Sequence, residues 1–343
     1  MTPTLRFIKT VALSAIMNFQ SIAPVETGNT HLDHALKEAG RRATLLKRSM
    51  RKGKSFLQFR HVERQRLAYV AEELERSLGR ITKSFPSLDK LSEFYTTLMD
   101  ATLERERLKK DLAATAWAAA TAKRLVREFE RKVGACQDKD ELLAVKRHAI
   151  GRISSVVKQI SKSLLHLEQC RRVMRTYPAL KDGLFTVTIA GFPNVGKSTL
   201  LGRLTTARPE IKSYAFTTTT LNVGYMTYRY NHLQFVDTPG SLARPEKMNN
   251  VEKQAYLAMK YAAHLIIYVY DLTETYPLRD QEALERTIRE YGKEMLVYVG
   301  KNDLVTEKRL TDFKRRGVET ITSFGELKAR ITAIFEKEFL GLK

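Results

Sequence analysis

Gly191-Phe-Pro-Asn-Val-Gly-Lys-Ser198 follows the apolar run Phe185-Thr-Val-Thr-Ile-Ala190 and leads into Thr199-Leu-Leu201. Strand, glycine loop, helix is the order that a phosphate cradle requires. Backbone N–H groups of Gly191, Phe192, Asn194, Val195 and Gly196 onward line the turn, Pro193 shaping it without a donor of its own, and the helix that starts there adds the positive end of its dipole. In this GxxxxGKS pattern, Lys197 is placed to reach β- and γ-phosphates and the Ser198 hydroxyl to ligate Mg²⁺, with Thr199 opening the helix behind them.

Partner motifs follow in order. Ser213-Tyr-Ala-Phe-Thr-Thr-Thr-Thr220 precedes the strand-like stretch Leu221 to Tyr230, where a nucleotide switch places a hydroxyl on the metal. Thr218 is the favoured ligand and Thr217 the next; a merely β-prone threonine run is the competing reading. Leu233-Gln-Phe-Val-Asp-Thr-Pro-Gly240 reads as a buried strand ending in Asp237, whose carboxylate meets Mg²⁺ through water, with the Gly240 N–H sensing a γ-phosphate. The next position is Ser241 rather than a water-orienting glutamine. Two more β-rich runs, His264 to Asp271 and Met295 to Gly300, flank a helix-like segment at 279–291. Gly300-Lys-Asn-Asp303 then stands where a base is read. Asp303 offers two acceptor sites to guanine N1–H and the 2-amino group, and the Lys301 stem can lie over the ring. Ser323, in Thr322-Ser-Phe324, is a candidate backbone donor to guanine O6, a plain loop being equally compatible. Alternating strands and helices predict an α/β domain with a mostly parallel sheet and ligands at the carboxyl ends of the strands.

Upstream the pattern changes to helical spacing. Phe94, Leu98, Ala101, Leu108, Leu112, Thr115, Ala119, Ala122, Val126 and Phe129 fall on one face of a predicted single long helix, interrupted only by Arg105. Val145, Ala149, Ile153, Val156, Ile160, Leu164 and Leu167 predict a second, and shorter helices fit 31–50 and 59–83. Such stripes must bury one another, so an antiparallel bundle is expected. The expected division is therefore a leader or mis-assigned start at 1–17, a basic helical bundle at 18–182 and a phosphate-loop G domain at 183–343. This is a multidomain α plus α/β protein.

The formal net charge is +21, and residues 1–183 hold 36 Lys and Arg against 20 Asp and Glu. That excess points to a polyanionic partner. From Ala39 to Val62 the chain carries Arg41, Arg42, Lys47, Arg48, Arg51, Lys52, Lys54 and Arg60 and no acid, with Phe56 and Phe59 interleaved as stacking groups for unpaired bases. RNA contact is the expectation; a solvated face is the plainer one. Arg171, Arg172 and Arg175 could extend the same surface. Two cysteines in helix-like sequence and no run near the roughly 18 apolar residues of a membrane span point to a reduced cytoplasmic setting without a membrane.

With these motifs in hand, the sequence resembles the nucleolar GTP-binding protein 1 family, in the Obg-like branch of translation-associated GTPases, over almost its whole length from Met17. Phe85-Pro86 and Thr97-Leu-Met-Asp100 in the helical half carry part of the resemblance. GFPNVGKST, YAFTTTTLNVG, DTPG with Arg244-Pro245, and the less generic Lys247-Met-Asn-Asn-Val-Glu252 carry the rest. It implies a GTPase binding GTP or GDP with Mg²⁺, hydrolysing slowly, acting in large-subunit assembly on pre-ribosomal RNA and ribosomal proteins, and monomeric off the ribosome. It also implies a short form without the eukaryotic C-terminal extension. Asn194 matches an asparagine that supports K⁺ in potassium-activated relatives; bracing the loop is its alternative role. Gly300 departs from the family's Asn-Lys-x-Asp, which implies guanine specificity through Asp303 but weaker affinity. A signalling G protein with a protein-binding arm, or an RNA scaffold with a degenerate G domain, are the competing classes.

Overall fold

The computed structural model describes residues 19–50, 55–205, 221–239, 250–273, 275–315 and 317–342. The chain divides into two compact units, one made of Asn18–Lys90 and Leu103–Arg175, the other containing Leu91–Thr102 and Thr176–Lys343.

In the first unit, α1 (Gly28–Ser49), α2 (Phe56–Ser84), α4 (Arg105–Ala135), α5 (Lys139–Gln159) and α6 (Ser161–Met174) form the helical bundle. Their starts are set locally. Thr27 caps α1 by accepting from Thr30 N, Ser55 caps α2 through Leu57 N, and Asp138 caps α5 through the N–H groups of Asp140 and Glu141, each satisfying donors that a helix leaves open. α2 lies against α1 and α4, and α4 against α5 and α6. The seam is built from Leu67, Leu74, Leu78, Ala118, Ala122 and Phe129 with Ile153 and Leu167, all buried.

Both long helices expected from periodicity are divided. The stripe from Phe94 to Phe129 spans α3 (Glu93–Thr102) and α4, with Leu103 and Glu104 outside either helix. The apolar spacing carries on across the interruption although the two helices fall in different units. α3 groups with the second unit, where its Tyr95 hydroxyl donates to Pro178 O at 2.7 Å and accepts from Leu180 N at 2.8 Å. The stripe from Val145 to Leu167 is split at Ile160, whose backbone (φ −92°, ψ 6°) leaves the α region between α5 and α6.

The second unit is the α/β domain that the motifs predict. Its elements are β1 (Phe185–Ala190), α7 (Lys197–Leu204), β2 (Asn222–Tyr228), β3 (Asn231–Asp237), α8 (Asn250–Leu257), β4 (Leu265–Asp271), α9 (Leu278–Arg289), β5 (Glu294–Gly300), α10 (Glu307–Lys314), β6 (Thr320–Ile321) and α11 (Phe324–Ile334). The sheet order is β2-β3-β1-β4-β5-β6, with β2 antiparallel to β3 and every other neighbour parallel. Every residue of β1 and β4 is buried, as expected of parallel strands covered on both faces. Phe185, Ile189, Leu200, Phe235, Ile267, Leu327 and Phe335 meet in the core. Among the described residues no helix is long and apolar enough to cross a membrane.

Candidate functional site

The sheet order places the carboxyl ends of β1 and β3 side by side, with Ile189 in register with Asp237. The phosphate loop leaves β1 at this edge. Gly191 has φ 143° and Gly196 φ 99°, while Asn194 takes φ 60° as a rare non-glycine in the left-handed region. A Cβ on Gly191 would stand 2.5 Å from Val269 O, so only glycine lets the loop turn so close to β4. Val195 is buried beneath the turn, Phe192 packs on Tyr276 with ring centroids 5.0 Å apart, and α7 begins at Lys197. Asn194, Ser198 and Thr199 are exposed along the mouth.

Two charges meet there. The buried Lys197 ammonium donates to Phe192 O at 2.6 Å, and burial lowers its pKa even though Asp237 raises it. Asp237 is 7% exposed; its Oδ2 accepts from the Ser198 hydroxyl at 2.5 Å, and its Oδ1 is buried with no hydrogen-bond partner among the described residues. Burial raises the Asp237 pKa against the pull of Ser198, Lys197 and Asn222. Among the described residues, a three-donor ammonium bonded to one neutral carbonyl, beside a carboxylate oxygen with nothing to accept from, is short of ligands. A phosphate and a hard cation have the chemistry to fill both deficits. Ser198 and Asp237 therefore fit a Mg²⁺ site. Thr238 secures the strand end by donating from both N and Oγ1 to Ile189 O.

The second cluster lies at the end of β5. Gly300 pairs with Asp271 across the sheet, Lys301 takes φ 50°, and Asp303 is exposed in the turn Asn302–Leu304. The Lys301 ammonium donates to Asp271 Oδ2 at 2.8 Å. Asn302 Nδ2 donates to Thr322 O at 2.7 Å, joining this turn to the loop of exposed Ser323. The sequence reading missed Asp271, which it treated only as the end of a strand. An acid at the carboxyl end of a parallel strand was the signal available. Thr217, Thr218, Gly240 and Ser241 lie outside the described residues.

The basic run is less free than its sequence implies. Arg41 pairs with Glu38 at 2.7 Å; Arg42 pairs with Glu72 of α2 at 2.7 Å and lies 3.8 Å over the Tyr69 ring. Arg60 donates to Gly134 O and Cys136 O at 3.1 and 3.2 Å, helping to close the end of α4, and sits over the Phe56 ring. The acids missing from the run are supplied by the preceding helical turn and by the neighbouring helix. Arg171 and Arg172 are likewise bonded to Glu168, whose carboxyl is held down at about 2, chiefly by Arg171. Arg51, Lys52 and Lys54 lie outside the described residues. Lys47 and Arg48 are exposed in the last turn of α1. A further cationic stripe escaped the sequence reading, which followed only the apolar face of α4. Lys110, Trp117, Arg124, Arg127 and Arg131 are all exposed at helical spacing on the opposite side, Trp117 by 46%.

Two family models match the chain. One, described as the NOG1 N-terminal helical domain, matches residues 19–180, and one described as 50S ribosome-binding GTPase matches residues 186–301. The Candida glabrata protein named nucleolar GTP-binding protein 1 is 30% identical over 89% of this chain and 48% of its own length. An uncharacterised Methanocaldococcus jannaschii protein is 34% identical over 81% of this chain and 80% of its own. Among solved structures, the cytosolic domain of the T. maritima FeoB iron transporter in a GDP form gives a TM-score of 0.37 at 23% identity, covering 46% of this chain and 65% of that one. The chain spans about half the length of the first curated relatives that it matches.

Proposed function

We infer that this chain, which belongs to the nucleolar GTP-binding protein 1 family, binds and hydrolyses GTP, and that its nucleotide state governs how its helical unit grips precursor ribosomal RNA of the large subunit. The observation that carries the nucleotide half is the convergence of Lys197, Ser198 and Asp237 at the ends of β1 and β3, each with bonding capacity that its protein neighbours leave unused. Backbone N–H groups of the loop bind phosphate oxygens, and the Lys197 ammonium neutralises the β/γ bridge. Mg²⁺ held by Ser198 and, through water, by Asp237, with Thr218 proposed to complete the set, would supply neutralisation of the charge that develops on the phosphate oxygens. The Gly240 N–H is the proposed contact to the γ-phosphate.

With Ser241 where a glutamine could orient water, hydrolysis is slow and draws on another positive charge. Asn194, exposed at the mouth of the loop, is the residue proposed to support K⁺ there. GTP turnover is expected to be faster in KCl than in NaCl at matched ionic strength, and equal rates would remove potassium from the scheme.

For RNA, the support is the charge of the helical half together with the exposed cations Lys47, Arg48, Lys110, Arg124, Arg127 and Arg131. Four such phosphate contacts would lower affinity on the order of a hundredfold between 50 and 200 mM salt. Filter binding to large-subunit ribosomal RNA measures that slope, and Lys47→Glu with Arg48→Glu is expected to make it shallower by about two counterions. Binding that ignores salt would favour a protein-binding arm instead. Sedimentation of a lysate with GTP or GDP tests the whole reading: the chain is expected to migrate with large-subunit precursors and their proteins, to shift with nucleotide, and to run as a monomer when released. The site of action is proposed as wherever those precursors assemble, cytoplasm or nucleolus.

A further inference from the structure

Gly300 has no room for a side chain. A Cβ built on it would stand 2.6 Å from Val195 O, a backbone atom of the phosphate loop, and 3.2 Å from a Val269 methyl. The first residue of the base-reading turn therefore rests directly on the backbone of the phosphate loop, main chain against main chain. Nothing flexible lies at the collision point that could give way.

The next residues are tied as firmly. Lys301 is bonded to Asp271, which is 1% exposed. The other oxygen of that carboxylate, Oδ1, accepts from Thr273 N at 2.8 Å and Thr273 Oγ1 at 2.6 Å. The backbone of Asp271 is itself clamped by Gln281 of α9, whose amide oxygen accepts from Asp271 N at 2.9 Å and whose Nε2 donates to Asp271 O at 2.8 Å. Every polar group of Asp271 is thus satisfied, with its carboxylate facing a cation, the arrangement in which a buried acid is tolerated. On the far side, the Asn302 amide reaches Thr322 O. Asp303 follows, exposed.

We propose that the backbone of Gly300, the Lys301–Asp271 ion pair and the Asn302 amide together hold the base-reading turn against the phosphate loop, the task that an asparagine side chain at position 300 would otherwise perform, so that installing asparagine there weakens guanine-nucleotide binding. Asp271, Gln281 and Asn302 are then positioning residues that act through Asp303. This rests on the guanine-nucleotide reading above. It reverses the simplest expectation about Gly300, that the missing amide is only a loss.

The test is titration of the full chain with GDP and with IDP in Mg²⁺, alongside a melting curve for each nucleotide-free variant. Hypoxanthine lacks the 2-amino group, so the ratio of IDP to GDP dissociation constants reports whether Asp303 sits correctly. Gly300→Asn and Gly300→Ala are each expected to weaken GDP binding at least tenfold. Asp271→Asn is expected to weaken GDP at least tenfold and to bring the IDP/GDP ratio toward one, whereas general loosening of the domain would weaken both ligands equally and leave the ratio alone. Asn302→Ala, at an exposed position that leaves the core intact, is expected to lower the ratio at least threefold, and decides the matter should the buried variants fail to fold. GDP binding by Gly300→Asn equal to or tighter than the parent's overturns the proposal, as does an unchanged ratio in both Asp271→Asn and Asn302→Ala. Failure of the parent chain itself to bind GDP is a different result, which removes the functional reading beneath it.

Discussion

Replacing Lys197 by alanine is expected to cost guanine-nucleotide binding at least about a hundredfold while leaving the nucleotide-free protein as stable as its parent or slightly more so. The two effects have one cause. Lys197 is 7% exposed, and among the described residues its ammonium has one acceptor, the neutral carbonyl of Phe192. Burial lowers its pKa, which means that the folded state penalises the charged form, and Asp237 only partly offsets that penalty. Truncation removes the penalised charge from the empty fold. With a triphosphate in the loop the same ammonium faces anionic oxygens, and charge-assisted hydrogen bonds of about 1.5 to 3 kcal/mol each are lost with it. Two of them account for a hundredfold or more. Calorimetric titration with a non-hydrolysable GTP analogue and Mg²⁺ measures the first effect, and thermal melting without nucleotide the second. A variant that melts well below the parent in the absence of nucleotide would make Lys197 a structural brace on Phe192 O rather than a cation with bonding capacity held for a phosphate.

The phosphate loop was legible because everything that defines it is local. A β-prone run from Phe185 to Ala190, two glycines, a lysine and a serine lie within one short stretch, and their conformation follows from short-range sterics and from a helix that starts where the loop ends. The alternating order of strands and helices around the loop was legible for the same reason, each element being set by its own residues. What escaped depends on which elements become neighbours. Periodicity records which side of the chain is buried, not whether the helix is continuous, so the stripe through Phe94, Leu98, Leu108 and Leu112 hid the break at Leu103 and Glu104. Charge counted along the chain ignores acids on another helix, so Arg42 looked unpaired until Glu72 of α2 was brought beside it. Asp271 and Lys301 are thirty residues apart and meet only because β4 and β5 are parallel neighbours that end together. Gly300 was read as a missing side chain, although what distinguishes its position is the main chain packed against it.

Asp303→Asn is expected to weaken GDP binding at least about a hundredfold and to make XDP the preferred ligand, with ADP gaining nothing. Asp303 is exposed in a turn whose position is set by Gly300 and by the Lys301–Asp271 pair, so the substitution alters what the turn offers a base without disturbing the core. An ionised carboxylate only accepts, and guanine presents two adjacent donors, N1–H and the 2-amino group. Asparagine keeps one acceptor and turns the other into a donor. That donor faces the guanine 2-amino group, donor against donor, but matches the C2 carbonyl of xanthine while the remaining oxygen still accepts from N1–H. Adenine has no N1–H, so neither side chain has a pair of bonds to offer it. The loss for guanine is one charge-assisted bond, the charge behind the other, and an unmatched donor set against the 2-amino group, about 3 kcal/mol or more. Competition among GDP, XDP and ADP on parent and variant gives the result directly. The exposed position matters to the interpretation: because folding is untouched, a variant that still prefers GDP would show that Asp303 does not read the base. The assignment of the whole turn from Gly300 to Asp303 would fall with it.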